Sequence, residues 1–489
     1  MTTALQTTQT ATQDPSALGT TAPATEAAYL GEPIRERRGR WLDGFNPEDT
    51  EQWENGGRTI AKRNLGWSIS AEFLGFVVWQ LWSIVVVWMP QAGFDITSSQ
   101  QFWLISVPSL VGATMRIPYT FMVPLFGGRN WTIVSALLLL VPSVGLALCM
   151  SNPDTPYGVM LLVAATAGFG GGNFASSMTN ITFFFPAREK GWALGLNAAG
   201  GNLGAAVAQF LVPIIVTVGA LVTTGAATAG TTDGSGPLDL SLAGWIWVPL
   251  IVITAIGAFL SMNNLSHAKS DLSGYASALR QKHLWILAVV YIGTFGSFIG
   301  FAGVFPKLIA DTFPAFSGFQ IGAATMSLAF MGALVGSLAR PYGGKLADRF
   351  GGTRPTMLAF VVMAIVAVSV VGLLRLQNFW LFLAAFMILF IASGMGNGSA
   401  YRMIPTVFQL TADGSRVDPV RQAASALGII SAVGAYGGFF IPQVLRIVFE
   451  RTGSYDAAFY GFAVAYLGLL ALTWAVYGRR GTRLGDARI

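Results

Sequence analysis

The sequence has few charged residues and almost no cysteine. Charged side chains make up 11% of its 489 residues, whereas a soluble domain carries about 25%. Hydrophobic residues make up 53% and the mean hydropathy is +0.58, so a water-soluble globular enzyme is excluded and a polytopic membrane protein is indicated. The single cysteine, Cys149, excludes an intramolecular disulfide and a cysteine-based metal cluster.

The N-terminal segment lacks the basic n-region and the apolar h-region of a signal peptide. Residues 1 to about 30 are rich in Thr, Ala and Gln and have no aromatic residue before Tyr29, which predicts a disordered tail. Residues 31–64 are polar and mixed in charge. Three aromatic residues in this stretch are predicted to anchor it at the membrane interface: Trp41, Phe45 and Trp53.

Long apolar segments, in contrast, are abundant. Twelve of them can cross about 30 Å of hydrocarbon, which takes about 20 helical residues. Their approximate limits are 65–89, 102–126, 131–150, 157–186, 192–219, 243–263, 284–310, 319–345, 355–375, 379–409, 421–446 and 456–478. We therefore predict an all-α polytopic membrane protein with twelve transmembrane helices and both termini on one side.

The basic residues are unevenly distributed over the loops. Both terminal segments and the loops near 129, 188–190, 264–283, 345–354 and 413–421 hold 22 of the 29 Lys and Arg residues. The opposite loops hold only Lys307, Arg375, Arg446 and Arg451. Because cytoplasmic loops carry an excess of Lys and Arg, both termini are predicted to be cytoplasmic in a cell (inner) membrane. The net charge of +6 then reflects topology and predicts no nucleic-acid partner.

The two halves of the chain repeat each other. A shift of 224 residues aligns Arg116 with Arg340, and a shift of 233 aligns Gly201 with Gly434. Six spans separate the members of each pair, so the repeat is parallel and relates two bundles by an axis along the membrane normal. This predicts a 6+6 transporter. Its regions are a disordered or interfacial cytoplasmic segment 1–64, a six-helix bundle 65–263, a cytoplasmic linker 264–283, a second bundle 284–478 and a cytoplasmic tail 479–489.

Three arginines lie inside the apolar spans: Arg116, Arg340 and Arg402. Each costs at least about 2.5–3.5 kcal/mol at a helix centre. Arg116 has no acid in its own span, and the repeat places Arg340 at the matching depth, so the two predict an anion site in a shared cavity. A guanidinium group presents a planar fork of donors that suits an oxyanion. For Arg402, a position along the pathway and an interfacial position are both open.

Aromatic and small residues complete the predicted site. Three aromatic residues are expected to face the cavity, with ordinary packing as the alternative: Phe174, Tyr291 and Phe295. Segments 191–204 and 428–440 space small residues three and four apart, which predicts smooth rocking surfaces between helices, with static packing as the alternative. Their residues of interest are Gly191, Gly195, Asn197, Gly201, Gly204, Gly428, Ser431, Gly434, Gly437 and Gly438. Asn197 and Asn202 add amides that can bond the substrate or a neighbouring helix.

Glu72 is the one acid well inside an apolar span, one or two turns from the cytoplasmic start of the first helix. Its charged form is disfavoured there, which makes Glu72 a candidate proton carrier. A salt bridge to Arg402 or to another base on the cytoplasmic side is the alternative. No histidine lies in a predicted span, so proton coupling must use a carboxyl group, a tyrosine or water.

Several motifs resemble known families. The loop motif Gly344-Lys-Leu-Ala-Asp348-Arg349-Phe-Gly351 resembles the loop signature of the major facilitator superfamily, although the loop after the second span lacks the Asp. Five motifs in order, over about residues 56–478, resemble the NarK-type nitrate/nitrite porters of that superfamily. They are GATMRIPYTFMVPLFGGRNW with Arg116, GGNFASSMTNITFFFP (171–186), segment 191–203, GSLARPYGG with Arg340, and segment 428–440.

This resemblance implies a twelve-helix carrier that moves nitrate and nitrite by alternating access between two pseudo-two-fold bundles. It implies that Arg116 and Arg340 clamp the substrate, and that the remaining substrate contacts come from Phe174, Tyr291, Phe295 and Asn202. Ala198 and Arg402 depart from what some members of the family have at these positions.

The predicted function is secondary active transport of nitrate, and of nitrite, by nitrate/proton symport through Glu72. Nitrate/nitrite antiport is the alternative. An organic phosphate exchanger and an anion sensor on a transporter scaffold are further alternatives. No nucleophile–base pair, metal cluster or phosphate-cradling loop indicates an enzyme, and no cofactor or metal is predicted. The expected partners are nitrate, nitrite, protons and membrane lipid, and a monomer is expected.

Overall fold

The computed structural model describes residues 34–224, 238–268, 272–321, 324–411, 419–487 and 489. The disordered tail predicted for residues 1 to about 30 lies outside them. Twelve long helices cover most of the rest: α1 Thr50–Val85, α2 Ser98–Phe126, α3 Gly128–Met150, α4 Tyr157–Phe184, α5 Ala187–Thr224, α6 Leu242–Ser261, α7 Lys282–Thr312, α8 Phe330–Phe350, α9 Thr353–Leu376, α10 Phe379–Leu410, α11 (Pro419–Ala435 and Gly437–Thr452) and α12 Asp456–Gly478.

Within the described ranges, ten of these helices are long and apolar enough to cross a membrane. The other two, α2 and α8, have 29 and 21 residues, which is also enough to span about 30 Å. They are less apolar because they carry Arg116 and Arg340, and α8 also includes Lys345 and Asp348. The two helices that fall short in apolarity are therefore the two that carry the paired arginines.

Several of the approximate helix limits shift in the structure. The span predicted from 319 begins at Phe330 (α8), because the preceding residues form an antiparallel hairpin of Phe319–Ile321 with Ala324–Met326. Helix α7 begins at Lys282, since Gln281 is extended. His283 therefore lies in the first turn of a spanning helix, buried, with its Nδ1 3.2 Å from the hydroxyl of Tyr477.

Equivalent helices of the two halves pack alike. In the N-terminal half (α1–α6), α1 packs on α4 and α5, and in the C-terminal half (α7–α12), α7 packs on α10 and α11. Helices α2 and α8 both end at a glycine with positive φ: Gly127 has φ 87° and ψ 147°, and Gly351 has φ 80° and ψ 148°. That region of φ favours glycine, so the 224-residue repeat also preserves backbone geometry. The halves meet where α2 packs on α11 and α5 on α8.

A small sheet holds the N-terminal segment against the helix ends. Strand β1 (Arg35–Arg37) pairs antiparallel with β2 (Trp41–Asp43), and β2 pairs in parallel with β3 (Asn264–Leu265), just after α6. Between β1 and β2, the Arg40 guanidinium donates to the carbonyls of Leu260 and Met262 at 3.0 and 2.9 Å. It thereby satisfies carbonyl groups that the end of a helix leaves free.

The aromatic residues of this segment are not all interfacial anchors. Phe45 and Trp53 are buried, packed against Phe184 and Phe185 at the end of α4. The Trp53 indole nitrogen also donates to Glu189 at 3.3 Å. The interpretation of Phe45 and Trp53 as interfacial anchors was wrong. Helix α1 starts before residue 65, and this stretch packs against the end of α4. The described part of segment 31–64 is folded.

Replacing Trp53 by Ala is expected to destabilise the protein by about 3–5 kcal/mol, the usual cost of deleting a buried aromatic ring. Thermal unfolding in detergent measures this as a lowered Tm. Trp192→Ala is the matched control, because Trp192 is 55% exposed, and its Tm should stay near that of the unaltered protein. Equal Tm values for the two variants would contradict the packing role of Trp53.

The remaining elements are short. They are a 3-10 turn Pro314–Phe316, a linker helix Leu272–Leu279 between α6 and α7, and a terminal helix Arg483–Asp486.

Candidate functional site

Arg116 is fully buried in the middle of α2 and links three helices. Its Nε donates to the carbonyl of Gly171 in α4 at 3.1 Å, and one Nη donates to the carbonyl of Ser431 in α11 at 3.0 Å. The other Nη has no hydrogen-bond partner among the described residues. Arg116 thus bonds to both halves of the protein and keeps one donor group for a further acceptor.

Arg340, on α8, lies in a similar environment. It is 7% exposed, and one Nη is 3.5 Å from the hydroxyl of Tyr291. Its other Nη has no protein partner in the part of the chain that the structure describes. The ring of Tyr401 lies 5.7 Å from its guanidinium carbon. Like Arg116, Arg340 keeps a free donor group.

Aromatic rings bring the two arginines together. The Phe174 ring centroid lies 4.5 Å from the guanidinium carbon of Arg116 and 5.9 Å from that of Arg340. Phe295, on α7, lies 5.0 Å from Arg116 and stacks on Phe174 with centroids 6.4 Å apart. Cation–π contacts within about 6 Å offset part of the cost of burying a charge. One ring shared by both guanidinium groups places them in one region between the halves.

No carboxylate of the described residues forms an ion pair with either arginine. The ion pairs found among the described residues include neither Arg116 nor Arg340. Two buried cations in a medium of low dielectric constant repel each other, while each keeps an unpaired N–H group. Such an arrangement favours an anion that accepts charge-assisted hydrogen bonds from both sides.

Asn202 is buried in α5, and both its Oδ1 and its Nδ2 are without a partner within the described ranges. Buried amides are normally hydrogen-bonded, so this side chain is suited to a substrate contact. No hydrogen bond of the described residues joins Asn202 to Arg116 or Arg340. The predicted role of Asn202 in binding the substrate stays a prediction.

Glu72 lies farther from the start of its helix than predicted. The continuous part of α1 runs from Arg58 to Val85, after a kink at Asn55 and Gly56, so Glu72 is in its middle and fully buried, not one or two turns from its start. Its Oε2 accepts hydrogen bonds from Asn197 Nδ2 at 2.6 Å and from the Ser177 hydroxyl. Two neutral groups on α5 and α4 thus surround the carboxyl group.

Arg402 is not the partner of Glu72. Its Nε lies 2.6 Å from Asp348 of the loop motif, and both side chains are more than half exposed. Exposed ion pairs contribute little to stability, and this exposure favours the interfacial alternative for Arg402, which stays a prediction. The rest of the loop motif supports this turn: Gly351 ends α8, and the Arg349 guanidinium lies 5.1 Å from the Phe350 ring. No neighbouring atom lies within 4 Å of a Cβ placed at Gly344.

The two glycine segments pack mainly inside their own halves. A Cβ atom at Gly201 would overlap Glu72 of α1, and one at Gly204 would overlap the carbonyl of Phe73. In the other half, a Cβ atom at Gly434 would overlap Tyr291 of α7, and one at Gly437 would overlap Gly296 of the same helix.

The other members of these segments differ in how tightly they are packed: Gly438 is in close contact with the opposite half, and the rest have looser surroundings. A Cβ at Gly438 would lie 2.7 Å from Ser109 of α2, in the opposite half, and one at Gly428 would lie 3.5 Å from Tyr275. Gly191 and Gly195 have no neighbour within 4 Å. The predicted rocking role of the segments stays a prediction.

Sequence reasoning missed several residues of this site. Trp79 lies 5.7 Å from the Arg116 guanidinium carbon and packs on Gly112 and Gly171. It follows Glu72 by two helical turns, so helical periodicity could have placed it on the same face. Tyr401 directly precedes Arg402 in the chain. The carbonyls of Gly171 and Ser431 carry no signal in the side-chain pattern.

Comparison with known proteins identifies the family. The Major Facilitator Superfamily profile matches residues 71–442. The nitrate/nitrite transporter NarU of Escherichia coli is 41% identical over 462 residues, covering 91% of this chain and 98% of NarU. A probable nitrate/nitrite antiporter, NarK2 of Thermus thermophilus, is 36% identical over 92% of this chain and 99% of its own. The chain belongs to the nitrate/nitrite transporters of the major facilitator superfamily.

Solved structures agree on the fold. A bacterial homologue of the human lysosomal transporter Spinster, in an inward-facing and occupied conformation, matches with a TM-score of 0.59 at 14% identity, covering 84% of this chain and 95% of that one. The nucleoside transporter NupG, as its D323A mutant, matches with a TM-score of 0.56 at 13% identity over 84% of this chain and 99% of that one. The predicted all-α, twelve-helix major facilitator fold is confirmed.

Proposed function

We propose that this member of the major facilitator superfamily transports nitrate, and also nitrite, across the cell membrane by alternating access. The observation that carries the proposal is the pair of buried guanidinium groups, one on α2 and one on α8, that share the Phe174 ring and have no carboxylate in an ion pair with them among the described residues. Two planar forks suit a small planar oxyanion. Relatives named as nitrate/nitrite transporters support the choice of anion.

The charges also explain how the cycle proceeds. Without an anion, Arg116 and Arg340 are like charges in a low dielectric, and bringing the halves together around them raises the energy. A bound anion offsets this repulsion and accepts the free donors of both arginines. The loaded carrier therefore closes and changes its access more easily than the carrier without substrate.

Net uptake of an anion also works against the membrane potential. The cell interior is negative, and moving one elementary charge against 100 mV costs about 2.3 kcal/mol. Protons that accompany the anion supply the compensating charge, and we assign the proton to Glu72. Its burial disfavours the charged form, and the hydrogen bonds from Ser177 and Asn197 offset only part of that cost.

Nitrate/nitrite antiport is the second candidate. The relative from Thermus thermophilus, 36% identical, is named a probable nitrate/nitrite antiporter. The repulsion between Arg116 and Arg340 favours exchange, because the return step is easier with an anion bound. In this mechanism no proton carrier is required, and Glu72 has a structural role in the contact between α1, α4 and α5.

Topology and partners belong to the same proposal. The excess of Lys and Arg in the terminal segments and in the loops on their side favours cytoplasmic termini. The regions 1–64, 65–263, 264–283, 284–478 and 479–489 are proposed as tail, bundle, linker, bundle and tail. We propose a monomeric carrier in a lipid membrane that catalyses no chemical reaction.

Uptake of nitrate into proteoliposomes tests the function and separates the two mechanisms. Symport predicts accumulation driven by an imposed pH gradient with no anion inside. Antiport predicts uptake only when nitrite is loaded inside, with no effect of the gradient. Absence of uptake under both conditions, with folded protein in the vesicles, would contradict nitrate transport.

A further inference from the structure

A buried lysine joins the two halves at the end of the molecule opposite the termini. Lys307 is on α7 and is 3% exposed. Its Nζ donates to the Gln101 side-chain oxygen of α2, in the other half, at 2.7 Å. The ring of Phe102, also on α2, lies 5.1 Å from the same nitrogen. The ammonium group of one half is therefore bound by two neighbouring residues of the other.

Partners from its own half hold Lys307 in place. Asp311, one turn later on α7, accepts from Nζ at 3.0 Å. The Tyr455 hydroxyl donates to the other oxygen of Asp311 at 2.6 Å, and the Tyr455 ring meets Phe102 edge-on at 6.4 Å. The Lys307–Asp311 ion pair thus belongs to the C-terminal half, and among the described residues its contacts with Gln101 and Phe102 cross the interface.

This contact is remote from the anion site. Lys307 follows Phe295 by twelve residues on the same helix, which is about 18 Å at 1.5 Å per residue. Other contacts between the halves at this end are neutral or lie partly in solvent: Gln443 donates to Ser106 at 2.6 Å and Gln209 to the Ala302 carbonyl at 2.6 Å, while Arg446 is 3.4 Å from Ser99. Among these, Lys307–Gln101 is the contact that places a deeply buried charge across the interface.

We propose that Lys307 is a positioning residue of the transport cycle, whose bond to Gln101 latches this end of the α2–α7 junction. The end is external in the proposed orientation. Alternating access requires the two halves to separate here, and separation removes a charge-assisted hydrogen bond and exposes the ion pair to water. The strength of the Lys307–Gln101 bond then sets how often the external side opens.

The crossing partner can be changed in both directions without touching Lys307. Gln101→Leu removes the acceptor at similar volume and is expected to raise the population that is open to the outside by about tenfold, the effect of losing one hydrogen bond to a charged group. Gln101→Glu adds a charged acceptor in place of the amide oxygen and is expected to lower that population. Opposite effects of the two variants are the signature of a latch.

The readout is the reactivity of a cysteine below the latch. Ser109 is buried on α2, against Gly438 of α11, eight residues past Gln101. In a Cys149→Ala, Ser109→Cys background, the rate of labelling by a membrane-impermeant thiol reagent added to intact cells reports external opening. Gln101→Leu should label about tenfold faster and Gln101→Glu more slowly. Gln91→Leu is the control, because Gln91 is an exposed glutamine near the same end, and its rate should not change.

Equal labelling rates in the three variants, or changes in the same direction for Gln101→Leu and Gln101→Glu, would overturn the proposal. If Gln101→Leu fails to reach the membrane, the slower labelling of Gln101→Glu still tests it. The inference rests on alternating access in the proposed function. It does not depend on the identity of the anion, because labelling needs no nitrate, so its failure and a failure of nitrate transport are distinguishable.

Discussion

Replacing Arg116 or Arg340 by Lys is expected to lower nitrate transport in proteoliposomes by at least about tenfold, since each loses a hydrogen bond to a charged group worth about 1.5–3 kcal/mol. Lys keeps the positive charge but has no planar fork. At position 116 one ammonium group has to replace two nitrogens that donate to Gly171 and Ser431, and the free Nη is lost as well. The initial rate of nitrate uptake measures the effect.

The charge is retained in both variants, so expression and folding should be close to normal. Arg375→Lys is the matched control: Arg375 is 70% exposed and pairs with Asp456 far from the site, and uptake by this variant should be unchanged. Near-normal uptake by both Arg116→Lys and Arg340→Lys would remove the clamp from the mechanism. A loss in only one of them would show that one guanidinium group suffices.

Features that depend on local pattern could be predicted from the sequence. Long apolar runs predict the helices, because the hydrocarbon thickness fixes their length. The internal repeat relates Arg116 to Arg340 without any knowledge of contacts, and the structure places both beside Phe174. The same repeat aligns Gly127 with Gly351, and in the structure both glycines end a helix with similar φ and ψ angles.

Contacts that depend on how helices meet could not be predicted. The acceptors of Arg116 are main-chain carbonyls, and one of them, that of Ser431, is 315 residues away. In the sequence, Lys307 is one of the few basic residues assigned to the loops opposite the termini. Its partner Gln101 is 206 residues away, so the sequence does not indicate their contact. The position of Glu72 within its helix was misjudged because α1 continues before residue 65, back to Arg58 and across a kink at Asn55 and Gly56, through a polar stretch without an apolar signal.

The structure changes the interpretation of Glu72 more than that of any other predicted residue. An acid near the end of a helix has ready access to water and to basic loops, and a salt bridge is then its ordinary role. In the middle of α1 and fully buried, a carboxylate would be costly, and the hydrogen bonds from Ser177 and Asn197 offset only part of that cost. In the proposed symport, a proton that binds and leaves during the cycle removes this cost in one of the two access states.

Replacing Glu72 by Gln is therefore expected to abolish nitrate accumulation driven by a pH gradient while leaving nitrate counterflow intact. Gln has the same shape and keeps an oxygen that accepts from Ser177 and Asn197, but it cannot exchange a proton. The measurement is nitrate uptake into proteoliposomes with an inside-alkaline gradient, beside exchange of labelled nitrate against internal nitrate without a gradient. Glu54→Gln is the control, because Glu54 is an exposed acid near the start of the same helix.

Each combination of accumulation and counterflow results has one interpretation. Loss of accumulation with preserved counterflow assigns the coupling proton to Glu72, because counterflow moves no net charge and needs no proton. Accumulation that survives in Glu72→Gln transfers the proton role to another group. Loss of both activities, with an unchanged Tm, would mean that the carboxyl group is needed for the change of access itself. The contact of Gly201 with Glu72 at the α1–α5 interface would then be the feature to alter next.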